Sequence, residues 1–330
     1  MKKNKICSPA EQLRKNFRDI LKIKKIAGDA SERDYYRLFF RNYSLIAMVY
    51  REPEKEEIAE IIRLSGIYKE NGINVPEVVE NINDQILIQE DLGNISIQRF
   101  FRGSLRSDRE KILRKISCIL KNIKNIPVSL TQGSLDLNRM RWEINFFFDH
   151  FIKNIYPSYK NVDALKNEIF GQLEKIEKKF VFTHRDFHSR NMYYFKDEIY
   201  LIDFQDSLRA PELYDLASFF FDSYLDLKER DLFLGFFRET GTPDKEQLYL
   251  TAFQRNLKAL GTFGFQTYVK KNRKFEKYIK RTLKHIKNNP VLNRAPELEK
   301  LFFRKRFFRY LICSYSFFTA FINCISIPLK

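Results

Sequence analysis

Cysteine, glycine, proline and tryptophan are all sparse in this chain of 330 residues, with 4, 11, 10 and 1 copies respectively. The cysteines, Cys7, Cys118, Cys313 and Cys324, are scattered, with no Cys-x-x-Cys pair and no histidine at zinc-finger spacing. Neither a disulfide framework nor structural zinc is therefore expected. So little glycine and proline excludes collagen-like and low-complexity classes. The first residues, Met1-Lys2-Lys3-Asn4-Lys5-Ile6-Cys7, are basic with no apolar core behind them, which fails as a secretion signal, and a reducing cytoplasm is the expected compartment. Three signatures are also missing: Gly-x-x-x-x-Gly-Lys-[Ser/Thr], Gly-x-Ser-x-Gly, and a Cys–His pairing. P-loop nucleotidases and chemistry on a serine or cysteine nucleophile drop out with them.

What is present is ample core material, 44% hydrophobic residues against 31% charged, in a length suited to two lobes. Basic residues outnumber acidic ones 59 to 42, giving +17, which favours anionic partners such as nucleotides, nucleic acid or an acidic membrane face. Much of the excess comes late, at Lys270, Lys271, Arg273, Lys274, Lys277, Lys280, Arg281, Lys284 and Lys287, and again at Arg304, Lys305, Arg306 and Arg309. That spacing reads as a solvated helix face, and no nucleic-acid partner is expected.

Along the chain, 23–26, 35–40 and 45–50 read as three antiparallel strands, with Gly28-Asp29-Ala30-Ser31 in the first connection. A helix over 54–70 follows, closed by Asn71-Gly72, and then strands near 78–79 and 86–88. Beyond Glu90-Asp91-Leu92-Gly93, helices at 109–124, 138–153 and 162–179 dominate, interrupted by β segments at 180–183, 192–195 and 199–202. From Pro211, suited to a first helical turn, the chain reads helical again. The fold class expected is α+β, with a β-rich N-lobe over 1–89, a mainly helical C-lobe over 90–303 and a basic, apolar tail over 304–330. Within the tail, 310–327 approaches the roughly 20 residues of a membrane span, but Ser314, Ser316, Thr319, Asn323 and Ser326 dilute it. A buried terminal helix is expected there, and a membrane contact through 304–330 is the alternative.

The most informative segment is Thr183-His184-Arg185-Asp186-Phe187-His188-Ser189-Arg190-Asn191, followed by Ile202-Asp203-Phe204-Gln205-Asp206. An Asp and an Asn sit on a loop after a strand, and a second Asp ends the next hairpin. Phosphoryl transfer from ATP needs one carboxylate to orient and deprotonate the attacking hydroxyl, and oxygen donors to hold Mg²⁺ against the triphosphate. Asp186 supplies the first, and Asn191 and Asp203 the second. His184 and His188 are four apart, as in a helical zinc site, but they follow a strand and lack the accompanying Glu, so His184 is expected to buttress the loop.

These segments resemble the aminoglycoside phosphotransferase superfamily, whose fold is protein-kinase-like. Within it the chain is most similar to bacterial N-acetylmuramate/N-acetylglucosamine anomeric kinases, through Gly28–Arg37, Gln89–Gly93, the His184–Asn191 and Ile202–Asp206 motifs, and Gln254–Gly261. The resemblance implies an ATP- and Mg²⁺-dependent kinase acting on a small sugar hydroxyl in cell-wall recycling, working as a monomer. It makes Asp186 the catalytic base and Asn191 and Asp203 the metal ligands. Gly28, Asp29, Ala30 and Ser31 would cover the phosphates. Gln89, Glu90, Asp91 and Leu92 would form the hinge that reads adenine, and Asp215 would be the structural acid bracing the catalytic loop. One departure stands out, because Met48 occupies the place in the third strand where kinases carry a lysine for the α- and β-phosphates. Arg33, Arg37 and Arg51 are the candidate replacements. For the acceptor, Glu143, Asp206, Gln254, Arg255 and Asn256 are candidates, with Arg255 either gripping a lactyl carboxylate or bracing its helix. Alternatives left open are a kinase of an aminoglycoside, choline or a homoserine-like compound, and a membrane-associated nucleotide-binding pseudoenzyme.

Overall fold

A computed structural model describes residues 9–26, 33–237 and 243–304. Its elements in chain order are α1 (Pro9–Asn16), β1 (Lys22–Ile26), β2 (Asp34–Phe39), β3 (Ser44–Val49), α2 (Lys55–Glu70), β4 (Val78–Ile82), β5 (Ile86–Glu90), α3 (Ile97–Gly103), α4 (Arg106–Asn125) and α5 (Leu137–Phe147). There follow α6 (Lys153–Ile155), α7 (Val162–Leu173), β6 (Phe180–Thr183), β7 (Met192–Phe195), β8 (Glu198–Leu201), β9 (Leu208–Pro211), α8 (Tyr214–Phe220), α9 (Arg230–Gly235), α10 (Lys245–Gly264), α11 (Glu276–Lys287) and α12 (Pro296–Glu299). The chain divides into two compact units, Met1–Gly133 with Phe180–Ala210 and Glu229–Thr242, and Ser134–Lys179 with Pro211–Lys228 and Pro243–Lys330.

The first unit is built on a five-stranded antiparallel sheet in the order β1-β2-β3-β5-β4. Alternation along β2 turns Tyr36 and Leu38 inward, where they meet Ala47 and Val49 of β3, Ile82, Ile86 and Ile88 of the β4–β5 hairpin, and Leu13 of α1. Each aliphatic side chain so buried contributes about 1.5–3 kcal/mol. The hairpin turns use paired left-handed residues, Asn83 (φ 52°) with Asp84 (φ 53°) in a three-residue loop, and Lys196 (φ 49°) with Asp197 (φ 62°) in a two-residue loop, where that backbone matches strand twist. Helix α4 buries Ile112, Leu113, Ile116, Leu120 and Ile123 at helical spacing, and α2 buries Tyr68. The Tyr68 ring stands edge-on to Phe182 and His184, and its hydroxyl shares a 2.9 Å hydrogen bond with Ser207.

The second unit is helical, with α10 packed on α5, α8 and α11. Asp244 caps α10 by accepting from the backbone N–H of Glu246 at 2.7 Å and Gln247 at 3.1 Å. Two glycines let α10 approach closely: a Cβ on Gly261 would stand 2.9 Å from the Phe147 backbone, and one on Gly264 would stand 2.5 Å from the His150 carbonyl oxygen. Helix α11 buries Tyr278, Ile279, Thr282, Leu283, His285 and Ile286 and leaves Lys277, Lys280, Lys284 and Lys287 exposed.

Three features differ from the sequence reading. Phe148–Ile152 is a π turn continuing α5, and it faces a second π turn at Phe265–Val269. Hydrophobic periodicity carries no mark of one extra residue per turn. Pro211 ends strand β9, which pairs with β6, instead of opening a helix, and α8 begins at Tyr214. The helix expected over 162–179 ends at Leu173. Among the described residues no helix is long and apolar enough to cross a membrane. Gly28–Ser31, Cys7, Cys313, Cys324 and the tail beyond Arg304 lie outside the described residues.

Candidate active site

The loop that carries Asp186 runs from β6 to β7 within the first unit, and its residues hold one another in place. His184 is fully buried, and burial pushes its imidazole below the ordinary value against the pull of the Asp186 and Asp203 carboxylates. The ring therefore stays neutral, and because a carbonyl can only accept, Nε2 carries the proton it donates to Ile202 at 3.1 Å. This bond links the loop to the strand end before Asp203. Asp186 is half-buried, and its carbonyl accepts from the backbone N–H of His188 at 3.0 Å.

Asn191 joins the two carboxylate-bearing segments. Its Nδ2 donates to the Asp186 carbonyl at 3.1 Å and reaches Asp203 Oδ2 at 3.4 Å, while its own carbonyl accepts from Ile202 N–H at 2.9 Å. Asp203 keeps an exposed surface, yet protein crowded around the rest of it raises its carboxyl above the ordinary range. Gln205 opposes the rise by donating to Oδ1 at 2.7 Å, the Asp186 charge adds to it, and the Arg33 charge opposes it. Two residues here adopt left-handed backbone outside any hairpin turn, Arg185 at φ 73° and Asp203 at φ 64°. Strain of that kind, about 1–3 kcal/mol at each position, persists only where the surroundings enforce it.

The donor chemistry fits a hard divalent cation. Asn191 and Asp203 each carry an oxygen donor and lie side by side, joined through the Asn191 Nδ2 contact to Asp203 Oδ2, and among the described residues no cluster of three His, Cys, Asp or Glu side chains could cage a metal alone. Mg²⁺ is commonly bound in just this way, by one or two protein ligands with phosphate oxygens and water completing the shell.

The remaining sequence candidates are placed as follows. Arg37 forms a 2.6 Å ion pair with Asp91 and donates to Asp91 Oδ1 at 2.9 Å, the Gly93 carbonyl at 2.7 Å and Asn94 at 2.8 Å. Asp91 also accepts from Ser44 at 2.6 Å, so Arg37 and Asp91 together fix the segment after β5. Gln89 and Leu92 are buried there, and Glu90 pairs with Lys196 at 3.0 Å. Arg51 is exposed, and Arg33 pairs with Glu57 of α2 at 2.7 Å. Asp206 pairs with Arg185 at 3.3 Å and is exposed. In the second unit Glu143 and Gln254 are buried and bonded to each other at 2.7 Å, with Lys258 3.7 Å from Glu143. Arg255 donates to Ser218 of α8 at 3.0 Å, which is the helix-bracing alternative, and Asn256 is buried with no partner for Nδ2. Asp215 is buried in the first turn of α8. Sequence reasoning missed Glu57 and Gln205: Glu57 lies among Glu54, Glu56 and Glu60, and only the phase of α2 against β3 selects it.

A family model described as the phosphotransferase enzyme family matches residues 22–250. The chain belongs to that family. It is an ATP-dependent phosphotransferase of kinase-like fold, with a β-sheet N-lobe and a helical C-lobe. The phosphotransferase is 26% identical over 304 residues to an N-acetylmuramate/N-acetylglucosamine kinase of Neisseria meningitidis serogroup B, covering 84% of this chain and 87% of the relative. Its fold is similar to choline kinase LicA from Streptococcus pneumoniae, with TM-score 0.60, 16% identity and coverage of 84% and 98%. It is also similar to a thermostable mutant of aminoglycoside phosphotransferase APH(4)-Ia in a complex with ADP and hygromycin B, with TM-score 0.62, 14% identity and coverage of 86% and 99%.

Proposed function

We propose that this phosphotransferase transfers the γ-phosphoryl group of ATP to a hydroxyl of an N-acetylated amino sugar, the anomeric hydroxyl of N-acetylmuramate or N-acetylglucosamine. The observation that carries the reading is the Asn191 amide, 3.1 Å from the Asp186 carbonyl and 3.4 Å from the Asp203 carboxylate, which ties the base-bearing loop to the second acid. The name of the Neisseria relative, similar over most of both chains, supports the sugar acceptor. Asp186 orients the acceptor hydroxyl and takes its proton as the new O–P bond forms, while the bond from the γ-phosphorus to the β,γ-bridging oxygen breaks and ADP leaves. Asn191 and Asp203 hold Mg²⁺, which when bound draws charge from the phosphate oxygens. Gly28, Asp29, Ala30 and Ser31 cover the phosphates, and the backbone of Gln89–Leu92, braced through Asp91 and Arg37, reads the adenine. His184 fixes the loop, and Asp206, exposed beside Arg185, serves the acceptor.

ATP turnover with Mg²⁺ across N-acetylmuramate, N-acetylglucosamine, kanamycin, choline and homoserine tests the reading, with product position read by ³¹P NMR. An anomeric phosphate on an N-acetyl sugar is expected. Turnover confined to another acceptor, or ATP binding with no turnover on any, overturns it.

A further inference from the structure

In the second unit the surface lysines are of two kinds. Lys153, Lys179 and Lys300 stand 2.5, 2.7 and 3.2 Å from the carboxylates of Asp149, Glu212 and Glu297, the ordinary arrangement for an exposed cation. Those of α11 are different. Lys277, Lys280, Lys284 and Lys287 are exposed, and none has a carboxylate within ion-pair distance among the described residues. Their spacing puts all four on one helix face, about 15 Å from first to last. The one acid of α11, Glu276, precedes that face and is paired with Arg273 at 2.7 Å. The opposite face is buried, and Arg281 at its edge donates to the Ser223 carbonyl at 3.1 Å, so the lysine face is held outward.

The same sign of charge flanks this face. Lys270, Lys271 and Lys274 come just before α11, exposed and likewise without a carboxylate partner among the described residues. At the other end Lys287 stands over the Phe303 ring, 5.8 Å from its centroid, and Arg304, Lys305, Arg306 and Arg309 follow Phe303 in the sequence. Two apolar side chains are exposed nearby. Val269, 47% exposed, precedes Lys270, whose ammonium lies 5.5 Å from the Phe265 ring; that ring meets Phe146, which in turn meets Trp142, 63% exposed.

Like charges three and four apart along a helix repel, so folding does not reward this face, whereas a layer of anions does. The exposed apolar residues decide between polyanions. A bilayer interface accepts Trp and Val among its headgroups beside Lys, while a nucleic-acid backbone has nothing to bury Val269 against. Lysine, a compact charge on a flexible stem, also suits a layer of headgroups better than a reading site built on the arginine fork. We propose that the lysine face of α11, with Lys270, Lys271 and Lys274, docks this protein peripherally on an anionic phospholipid bilayer. Helix α11 carries none of the residues assigned to phosphoryl transfer, so the inference stands apart from the proposed function.

Co-sedimentation of the full chain with vesicles of phosphatidylcholine and phosphatidylglycerol in equal parts, and with phosphatidylcholine alone, tests it. The wild-type chain should bind the anionic vesicles only, and binding should weaken as salt rises from about 0.1 to about 1 M, where the screening length falls from about 10 to about 3 Å. Lys277→Gln/Lys280→Gln/Lys284→Gln/Lys287→Gln should weaken binding by about 100-fold or more, and arginine at the same four positions should retain it. The pairs Lys277→Gln/Lys280→Gln and Lys284→Gln/Lys287→Gln should each cost about tenfold, which keeps the surface testable should the fourfold variant not fold. A matched control, Lys25→Gln/Lys69→Gln/Lys115→Gln/Lys179→Gln, removes the same charge from ion-paired lysines and should bind within about threefold of wild type. No binding to anionic vesicles, binding to both vesicle types alike, or equal loss in the control and the α11 variants overturns the inference. Unchanged binding by the α11 variants overturns it by placing the contact elsewhere in the chain, and capture of a single-stranded oligonucleotide instead of vesicles overturns it in favour of nucleic acid.

Discussion

Around Asp186 and Asp203 the polar groups converge and the backbone is distorted to make them do so; around Glu143 they are equally buried but cross-linked between regular helices. Arg185 and Asp203 take left-handed φ values of 73° and 64° as single loop residues, whereas the neighbouring left-handed pairs in the same unit are hairpin turns. In the second unit the 2.7 Å Glu143–Gln254 bond joins two α-helices, and Thr282–Ser223 at 2.7 Å and Asn289 to the Tyr249 carbonyl at 2.8 Å tie helices to the connecting segments. Burial of polar residues alone therefore does not set the candidate catalytic cluster apart from other buried polar groups. What distinguishes them is like charges brought together on strained backbone, an arrangement that folding does not reward and a bound cation does.

Substitutions can break that contrast from either side. Asp203→Asn removes the only carboxylate of the proposed metal pair and should lower turnover by about 100-fold or more, with a higher Mg²⁺ concentration needed for half-maximal rate. Thermal stability should hardly fall, since the crowded carboxyl is itself unfavourable. Arg37→Ala should do the opposite in the same unit: it leaves Asp91, 4% exposed, without its ion-pair partner, and should destabilise by about 3 kcal/mol in denaturant unfolding. Gly264→Ala forces a methyl to 2.5 Å from the His150 carbonyl oxygen and should cost about 1–3 kcal/mol, with fluorescence of the lone tryptophan, Trp142, on the opposing helix reporting the shift. Glu143→Gln keeps an acceptor for Gln254 and should change stability by about 1 kcal/mol or less, leaving KM for ATP unaltered.

Much of this contrast could be read from sequence, and the residues show where it could not. That Asp186, Asn191 and Asp203 would be brought together was legible because the grouping depends on residue type and on short spacing along the chain. The strands β1 to β3 and helices α2 and α4 were visible in their alternation and periodicity. Three things were not. The π turns at 148–152 and 265–269 leave hydrophobic spacing intact. Strand β9 is four residues long, and its pairing with β6 spans the Asp186 loop. That Arg33 and not Arg37 stands beside Met48 depends on strand register, which sets Tyr35 opposite Met48 and Arg37 opposite Ile46. Glu143 and Gln254 carry the same residue types as a sugar site, and only their 2.7 Å bond across two helices shows what they hold together.

The most direct test of the central claim, that the cluster around Asp186 performs the chemistry, is Asp186→Asn measured for turnover and for ATP affinity in the same preparation. Turnover should fall by about 100-fold or more while the Kd for Mg-ATP changes by less than about threefold, because the base acts on the acceptor. Unchanged turnover, or affinity falling in step with it, would contradict the account.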